Sequence, residues 1–543
     1  MENKVRKVTN AIAAVLNELP KEVPSAPTSP NYPLFLKENL PKPSYLKKQR
    51  SADNENGPLF SIVIVCNNTA DVLFPTVISL LAQTYANWEL IISSETSGDD
   101  FLAGIDKRIR IIESGDPLKA AEKEIRGDLV IRLLPRDRLE PDALYLFAET
   151  IGNDPSVSTI YADHDVQDEY GRRSSPVFKP SFSPVTEIAF DYIKRPLVVK
   201  TSIHMAAGGF MGSGADFSHA YILRCIKKAR LVKNIPRILL SASEDSDSEP
   251  GSVFSFGKTL YAYEGSFKGS FRINSLKDKK SSVTLVIGDA SDAAALKRAL
   301  ESVDTISTCF DYKIIICVGS SIDGSLNKYL EALGRNKAAK IVHEKIEVSV
   351  PALLNRGAAA SFSEYIVFLS SYAEVISPSF IEELILPLKL KNVAVTGGKL
   401  LSPDGTLYNT GTVIGLGGPL GSPFSGTADD MEDKKKCFYT SVQRNVSAVS
   451  GCMMAVSAEG FMKIGMFDEN LTDHGWDTEF CIRAIKAGKQ VVYTPFAEAK
   501  LTRLPDYPDD KSTFLEGYEK DPFFSPNYDL RFTDPQLAIS PDH

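Results

Sequence analysis

The sequence predicts an α/β protein made of two tandem domains, each built around a mostly parallel sheet. Short apolar runs, typical of buried parallel strands, alternate with segments of helical spacing. An internal repeat supports this, because LFSIVIVCNNTADVLFPTVISL and WELIISSETSGD correspond to SVTLVIGDASDAAALKRAL and YKIIICVGSSIDG. The period of about 220 residues is too long for a solenoid and is right for two copies of one α/β domain.

Residues 1–58 are predicted to form an amphipathic helix followed by a Pro-rich linker. Apolar side chains in residues 4–19 share one helical face, and Pro20 ends the pattern. This face could dock on the body of the protein, on a partner transferase or on a membrane surface. Residues 20–58 are rich in Pro, Ser, Lys and Asn, which favours a linker on the surface.

The first predicted domain covers residues 59–240. It opens with a strand over the continuous apolar run FSIVIV and a helix over residues 72–81, which have helical spacing. The alternation continues with strands over residues 89–93, 110–112, 129–134, 159–161 and 196–200, and with helices over residues 118–125, 142–151 and 217–229. This order predicts a sheet covered on both faces.

The second predicted domain covers residues 283–503. Before it, residues 241–282 are predicted to be a linker, because SASEDSDSEPGS is acidic and of low complexity. Within the domain we expect strands over residues 283–287, 313–317 and 365–369, and helices over residues 293–300, 352–360 and 380–388. Residues 504–543 are predicted to be a C-terminal tail.

Composition limits the classes of partner and compartment. The net charge is −8 and no basic block is present, which argues against a nucleic-acid partner. The seven cysteines form no CxxC pair and are interpreted as reduced thiols. No apolar run approaches the roughly 18 residues of a membrane span. We therefore expect a cytoplasmic location, with peripheral contact at the inner face of the membrane as an alternative.

The segment YADHDVQDEYGRRSSPVFKP has the densest cluster of side chains suited to metal or phosphate chemistry, namely Asp163, His164, Asp165, Asp168 and Glu169. Asp163 and Asp165 are two residues apart, so on an extended strand their carboxylates would point the same way and could share a divalent cation. The alternative interpretation is a solvated acidic turn. Elsewhere, His219, His343 and His474 lack metal-ligand spacing, and residues 415–421, GLGGPLG, are interpreted as a mobile loop.

Several motifs together carry a family resemblance. They include YADHDVQDEYGRRSSPVFKP, LLNRGAAAS, VAVTGGKLLSPDGTLYNTGTVIGLGG and WDTEFCIRAIKAGKQVVYTP. In this order they resemble the bacterial family 2 glycosyltransferases with the GT-A fold, in the tandem form used in O-antigen and other surface-polysaccharide assembly. The resemblance covers most of residues 59–503.

The resemblance implies transfer of a sugar from a nucleotide sugar to a glycan acceptor. Such transfer needs a cation on the diphosphate and a carboxylate that takes the acceptor proton. The implied catalytic residues are Asp477, Glu479 and Asp216. The implied nucleotide- or substrate-binding residues are Asn67, Asn68, Glu95, Arg136, Arg138, Asn355, Arg356 and Asn445. The implied ligands of Mg²⁺ or Mn²⁺ are Asp137, Asp163 and Asp165.

Both expected metal motifs depart from the family pattern. The first domain has Pro135-Arg136-Asp137-Arg138 there, with one carboxylate, and the second has Ser370-Ser371-Tyr372, with none. Hydroxyls do not replace carboxylates for Mg²⁺ or Mn²⁺, whereas the arginines could neutralise a diphosphate directly. Two hypotheses follow: a glycosyltransferase, or a catalytically inactive pseudo-glycosyltransferase that acts as a glycan- or partner-binding scaffold.

Overall fold

The computed structural model describes most of the chain. The described residues are 31–52, 57–66, 70–95, 100–168, 170–210, 219–243, 254–256, 260–275, 281–305, 308, 310–431, 433–471, 475–505, 515, 518 and 520–539. The amphipathic segment 4–19, with its predicted docking on a partner transferase or a membrane surface, lies outside them.

A nine-stranded mixed sheet organises the first half of the described chain. Its strands are β1 Phe60–Val65, β2 Trp88–Ser94, β3 Ile109–Glu113, β4 Leu129–Arg132, β5 Arg138–Leu139, β6 Val157–Gln167, β7 Arg173–Val177, β8 Leu197–Lys200 and β9 Leu231–Ala242. Their order is β3-β2-β1-β4-β8-β6-β9-β5, with β7 beside β6. The neighbouring strands β3, β2, β1 and β4 are parallel to one another. Strand β8 is antiparallel to both β4 and β6, and β9 is parallel to β6.

Three further strands, β10 Phe254–Phe256, β11 Leu260–Glu264 and β12 Phe271–Ser275, form a small antiparallel sheet between the halves in the chain. They lie in the segment that composition predicted to be a linker, so part of residues 241–282 has regular secondary structure. The alternation of apolar and polar residues in LYAYE and FRINS is too short to predict strands. Pairing between the strands satisfies their backbone N–H and C=O groups.

A ten-stranded mixed sheet organises the second half. Its strands are β13 Ser282–Ile287, β14 Asp311–Val318, β15 Lys340–His343, β16 Tyr365–Leu369, β17 Ala373–Val375, β18 Val393–Leu401, β19 Leu407–Asn409, β22 Arg444–Asn445, β23 Met453–Ser457 and β24 Gln490–Leu501. Their order is β15-β14-β13-β16-β23-β18-β24-β17, with β19 beside β18 and β22 beside β24.

Nine strands of the second sheet match those of the first in order and direction, and β22 is the additional strand. In the second sheet, the neighbouring strands β15, β14, β13 and β16 are parallel to one another. Strand β23 is antiparallel to both β16 and β18, and β24 is parallel to β18. The predicted α/β class with two tandem parallel-rich sheets is confirmed, and so is the internal repeat.

Helices cover the sheets. In the first half they are Tyr32–Asn39, Pro43–Arg50, Ala70–Leu81, Asp100–Ala103, Pro117–Lys123, Ala143–Asn153, Pro184–Ala189, Thr201–Ala206 and His219–Lys228. In the second half they are Ala293–Asp304, Gly324–Arg335, Val350–Ala359, Phe380–Leu388, Lys434–Ser441, Ala458–Ile464 and Trp476–Lys486. Neighbouring strand residues face different layers: Ile62 and Ile64 pack in one apolar cluster and Val63 in another. Such two-sided burial explains the continuous apolar runs.

Two predicted loops are ordered instead. The Pro-rich segment before residue 58 contains two helices, and Tyr32 and Phe35 of the first are buried. Proline is favoured in the first turn of a helix, where its missing N–H would have had no partner in the helix. A high proline content therefore does not by itself exclude helices. Residues 415–421 include part of a hairpin of β20 Val413–Ile414 and β21 Leu420–Gly421, so they are not a wholly irregular loop.

The C-terminal segment contacts both halves. Asn527 donates from Nδ2 to Asp163 Oδ2 (2.8 Å), and Ile414 N donates to Asp521 Oδ2 (2.8 Å). Strands β25 Tyr528–Asp529 and β26 Gln536–Leu537 pair there. Six cysteines of the described chain are free thiols, and none of the described helices has the length and apolarity to cross a membrane.

Candidate functional site

A pocket of about 460 Å³ opens at the carboxyl edge of the second sheet. Its lining includes Asp289, which follows β13, and Ser370, which follows β16. These adjacent strands continue to opposite sides of the sheet, and ligands of open α/β sheets bind at such a switch point. The position therefore favours a ligand site.

Asp477 enters this pocket from the first turn of the helix Trp476–Lys486. Gly451 N donates to its Oδ2 (2.8 Å) and Thr478 N to its Oδ1 (2.7 Å), which fixes the carboxylate. A Cβ on Gly451 would lie 2.1 Å from the Trp476 ring, so the close approach requires glycine. Burial raises the pKa of Asp477. A carboxyl of raised pKa is suited to accept a proton near neutral pH.

Asp289 contacts the Ser370-Ser371-Tyr372 segment, which stands where the metal motif was expected. It accepts hydrogen bonds from the hydroxyl of Ser370 and from the backbone N of Ser371 (2.7 Å). Burial raises its pKa, although the hydrogen bonds from both serines lower it. The sequence interpretation missed Asp289; the available signal was an acidic residue directly after the first strand of the domain.

The remaining polar side chains of the pocket differ in charge. Arg503 is the only Lys or Arg among the lining residues that the structure describes, and its guanidinium carbon lies 5.7 Å from the centre of the Tyr372 ring. Burial, with smaller contributions from the carboxylates of Asp289 and Asp477, raises the pKa of Cys452 to about 12. Cys452 is therefore a neutral thiol at pH 7.

Four other residues that the resemblance implied have contacts away from this pocket. Glu479 forms two bonds with Arg483 (2.8 and 2.6 Å). Asn355 is buried and bonds Phe467 O (2.9 Å), while Arg356 pairs with Glu469 (2.9 Å). Asn445 Oδ1 accepts from Val185 N (2.9 Å) and thus joins the two halves. None of the four is among the described lining residues.

At the matching edge of the first sheet, Asp137 is fully buried in an ion pair. Arg195 Nε lies 2.9 Å from its Oδ2, and Leu134 N donates to the same oxygen (3.0 Å). Ser243 N donates to Oδ1 (3.2 Å). Burial raises the pKa of Asp137, whereas Arg195 lowers it. Its oxygens are already bonded within the protein.

Asp163 and Asp165 also have protein partners, but different ones. Asp163 accepts from Lys179 N (2.8 Å) and from Asn527, and burial raises its pKa. Asp165 accepts from the Tyr32 hydroxyl and from Arg173 Nε (2.6 Å). The pairing of β6 with β9 shifts register on both sides of Asp163, which breaks the simple two-residue alternation.

The described arrangement does not fit a cation shared by Asp137, Asp163 and Asp165. Within the described part of the chain, the group of acidic and imidazole side chains close enough to hold a metal ion is Glu187, Asp191 and His219, with ligand atoms within 4.8 Å of one another. This is a candidate acidic metal site in a place that residue spacing did not indicate.

The other implied residues of the first half are partly described. Arg136, Arg138 and Glu95 are exposed, and Arg136 has a positive φ of 69°. Asn67, Asn68 and Asp216 lie outside the described residues.

No family model matches the chain. It is 26% identical over 486 residues to an uncharacterized protein, y4gI, of Sinorhizobium fredii, covering 82% of this chain and 53% of that protein. It is 25% identical over 575 residues to the O-antigen biosynthesis protein RfbC of Myxococcus xanthus, covering 96% of this chain and 44% of that protein. The chain thus spans about half the length of these curated relatives. The RfbC match confirms the resemblance that the motifs predicted.

Solved structures similar to the chain include GalNAc-T7 with UDP, GalNAc and Mn²⁺, at 14% identity and a TM-score of 0.34, covering 43% of this chain and 45% of that chain. Another is the mannosyltransferase PcManGT from Pyrobaculum calidifontis with GDP-Man and Mn²⁺, at 11% identity and a TM-score of 0.31, covering 42% of this chain and 59% of that chain.

Proposed function

We propose that the chain is a glycosyltransferase that moves a sugar from a nucleotide sugar to a glycan acceptor in cell-surface polysaccharide assembly, with transfer in the pocket of the second half. The single observation that carries this is the buried Asp477 carboxylate, held by two backbone amides at the carboxyl edge of the sheet. The match to RfbC, named for O-antigen biosynthesis, supports the polysaccharide assignment. The pocket volume of about 460 Å³ lies in the usual range for small-molecule sites.

Asp477 is assigned the role of general base. As the acceptor oxygen forms a bond to the anomeric carbon of the donor, the bond from that carbon to the diphosphate breaks. The acceptor proton moves to Asp477, and the nucleoside diphosphate leaves with the bonding electron pair. A positioned base of this kind contributes about 10²- to 10⁴-fold to a rate.

Arg503 is assigned to the leaving diphosphate. The Ser370-Ser371-Tyr372 motif offers no carboxylate for Mg²⁺ or Mn²⁺, and the carboxylate of Asp289 is bonded to the two serines. A guanidinium binds phosphate oxygens through paired N–H groups and cannot lose its charge at neutral pH. The proposed transfer in this half is therefore independent of a divalent cation.

The test uses the full chain with a panel of nucleotide sugars and glycan acceptors, with and without Mn²⁺ and EDTA. Mass spectrometry of the acceptor measures product. We expect product in both conditions, and its loss in Asp477→Asn. Glu459→Gln is the matched control, because Glu459 is an exposed acid that pairs with Lys463 on the surface of the same half. Equal loss in both variants, or no nucleotide-sugar binding by the wild type, would contradict the proposal.

A second candidate function is a binding scaffold without turnover. The observation that favours it is that the three carboxylates implied as metal ligands already have partners in the protein. Asp137 pairs with Arg195 and Asp165 with Arg173. Asp163 accepts from Lys179 N and Asn527 Nδ2. In that case the chain would bind a glycan, and the same assay would show acceptor binding with no product for any donor.

A further inference from the structure

Tyr372 lies in the pocket of the second half, in the segment where the metal motif was expected. Strand β17 begins at the next residue, and Ala373 pairs with Leu501 at the end of β24. The pairing continues for one residue beyond both strands, because Thr502 N donates to Tyr372 O (2.8 Å) and Thr502 Oγ1 donates to the same oxygen (3.2 Å). The main chain therefore brings Arg503 beside Tyr372.

Two hydrogen bonds fix the position of Tyr372 itself. Its hydroxyl lies 2.8 Å from Ser291 Oγ, and its backbone N donates to Ser370 Oγ (3.2 Å). Ser291 lies shortly after β13 and Ser370 directly after β16, and these strands are neighbours in the sheet. The ring is thus held from two adjacent strands at the carboxyl edge.

The side chain that meets this ring is the guanidinium of Arg503. Its central carbon lies 5.7 Å from the ring centre, within the range of a cation–π contact. Arg503 is exposed, whereas Tyr372 is half-buried, and both line the pocket. The contact therefore lies where a ligand in the pocket can reach the cation.

The matching segment of the first half holds an arginine in a different way. Pro135 to Arg138 retains Asp137, whose Oδ2 lies 2.9 Å from Arg195 Nε. A carboxylate at this distance compensates the positive charge, whereas an aromatic ring attracts a guanidinium through its quadrupole and leaves the net charge in place. The tyrosine thus keeps a cation at the edge of the second sheet.

We propose that Tyr372 is a positioning residue whose ring holds the Arg503 guanidinium toward the leaving diphosphate of the nucleotide sugar. This inference rests on the proposed function, which assigns Arg503 to the diphosphate. Cation–π attraction itself consumes none of the guanidinium N–H groups, and these are the groups that bind phosphate oxygens. A side chain of the degenerate metal motif would then place a protein cation where a metal ion was expected.

The test is a double-mutant cycle on the full chain. Calorimetric titration with UDP and with GDP, in the absence of divalent cations, compares the wild type with Tyr372→Leu, Arg503→Ala and the double variant. We expect Tyr372→Leu to raise the Kd about fivefold, the effect of an exposed cation–π contact. In the Arg503→Ala background the same change should have no further effect, because the ring acts through that guanidinium.

Two further variants separate the ring contact from a general effect on the fold. Tyr372→Phe keeps the aromatic face and should bind within about twofold of the wild type. Phe532→Leu is the matched control, because the guanidinium carbon of Arg531 also lies 5.7 Å from the Phe532 ring centre. Neither residue of this second pair is among the described lining residues, so the Kd should not change.

An unchanged Kd in Tyr372→Leu would overturn the proposal, as would an equal loss with and without Arg503. If Tyr372→Leu does not fold, fluorinated phenylalanines at position 372 decide. Fluorine weakens the quadrupole of the ring and keeps its shape, so the Kd should rise stepwise with each added fluorine, and a constant Kd would overturn the proposal.

The same titration separates this inference from the proposed function. A wild type that binds neither UDP nor GDP would overturn both. A wild type that binds them, with Arg503→Ala weakened and Tyr372→Leu unchanged, would overturn the role of Tyr372 alone.

Discussion

The two halves share one sheet order but hold their acidic side chains differently at the same edge. In the first half, Asp137 is ion-paired with Arg195 at 2.9 Å inside the protein. In the second half, Asp477 and Asp289 line an open pocket and accept bonds from amides and a hydroxyl. A carboxylate paired with a buried arginine is a structural element, whereas one held by amides and a hydroxyl at a pocket can contact a ligand.

Breaking the Asp137 pair should have the largest effect on stability. Asp137→Asn leaves the buried charge of Arg195 without its carboxylate, and we expect a loss of about 3–5 kcal/mol in the free energy of unfolding. Urea unfolding followed by circular dichroism measures this loss.

Asp289→Asn is the matched change in the second half. An amide can keep bonds to Ser370 and Ser371, so we expect a loss of about 1 kcal/mol. Equal losses in the two variants would show that the two carboxylates do not differ as described.

Removing the positively charged Arg503 side chain from the pocket should weaken nucleotide binding. Arg503→Ala is expected to raise the Kd for UDP or GDP about 10- to 100-fold, because a charge-assisted bond contributes about 1.5–3 kcal/mol. Calorimetric titration measures the affinity, with Arg335→Ala as a control, since Arg335 is an exposed helix residue paired with Glu331. A strong response to EDTA in the wild type would contradict binding through Arg503 alone.

The pH dependence of transfer should follow the ionisation of Asp477 in the second half. Asp477 must be ionised to accept a proton, and burial raises its pKa, so kcat/KM should fall on the acidic side at a higher pH than for an ordinary carboxyl group. The sign for stability is opposite: the folded state holds the proton more tightly, so ionisation of Asp477 lowers stability as pH rises through its folded pKa. An acidic limb in the ordinary carboxyl range would contradict this assignment.

A change at the contact between the halves should affect stability and not transfer. Asn445→Ala removes the acceptor for Val185 N but keeps the backbone bond to Thr186, and we expect a loss of about 1–2 kcal/mol in the free energy of unfolding. Transfer activity should remain. A large loss of activity with unchanged stability would place Asn445 in substrate binding, as the family resemblance implied.

Part of the site could be found from the sequence. WDTEF marks Asp477 because an acid at the start of a helix is a local pattern, and the strand runs that carry the pocket are continuous and apolar. Asp289 and Arg503 were missed because neither forms a recognisable motif with its neighbours in the sequence. Their importance comes from meeting Ser370 and Tyr372 across the pocket, which no local spacing reports.

The acidic segment around Asp163 shows the converse. Its spacing predicts two carboxylates on one side of a strand, but register shifts in β6 separate their partners. Asp165 meets Tyr32 from a helix far earlier in the chain, and Asp163 meets Asn527 from far later. Long-range partners therefore decided what these acids do.

The sequence by itself determined the repeat, the alternation of strands and helices that opens each half, and the class of the fold, because hydrophobic periodicity is a local consequence of which faces are buried. Only the tertiary structure decided which acids face a pocket, which are neutralised by arginine, and that Glu187, Asp191 and His219 meet. Charge pairing acts over a few ångströms of space, and residues distant in the chain reach that range only after the sheets have packed.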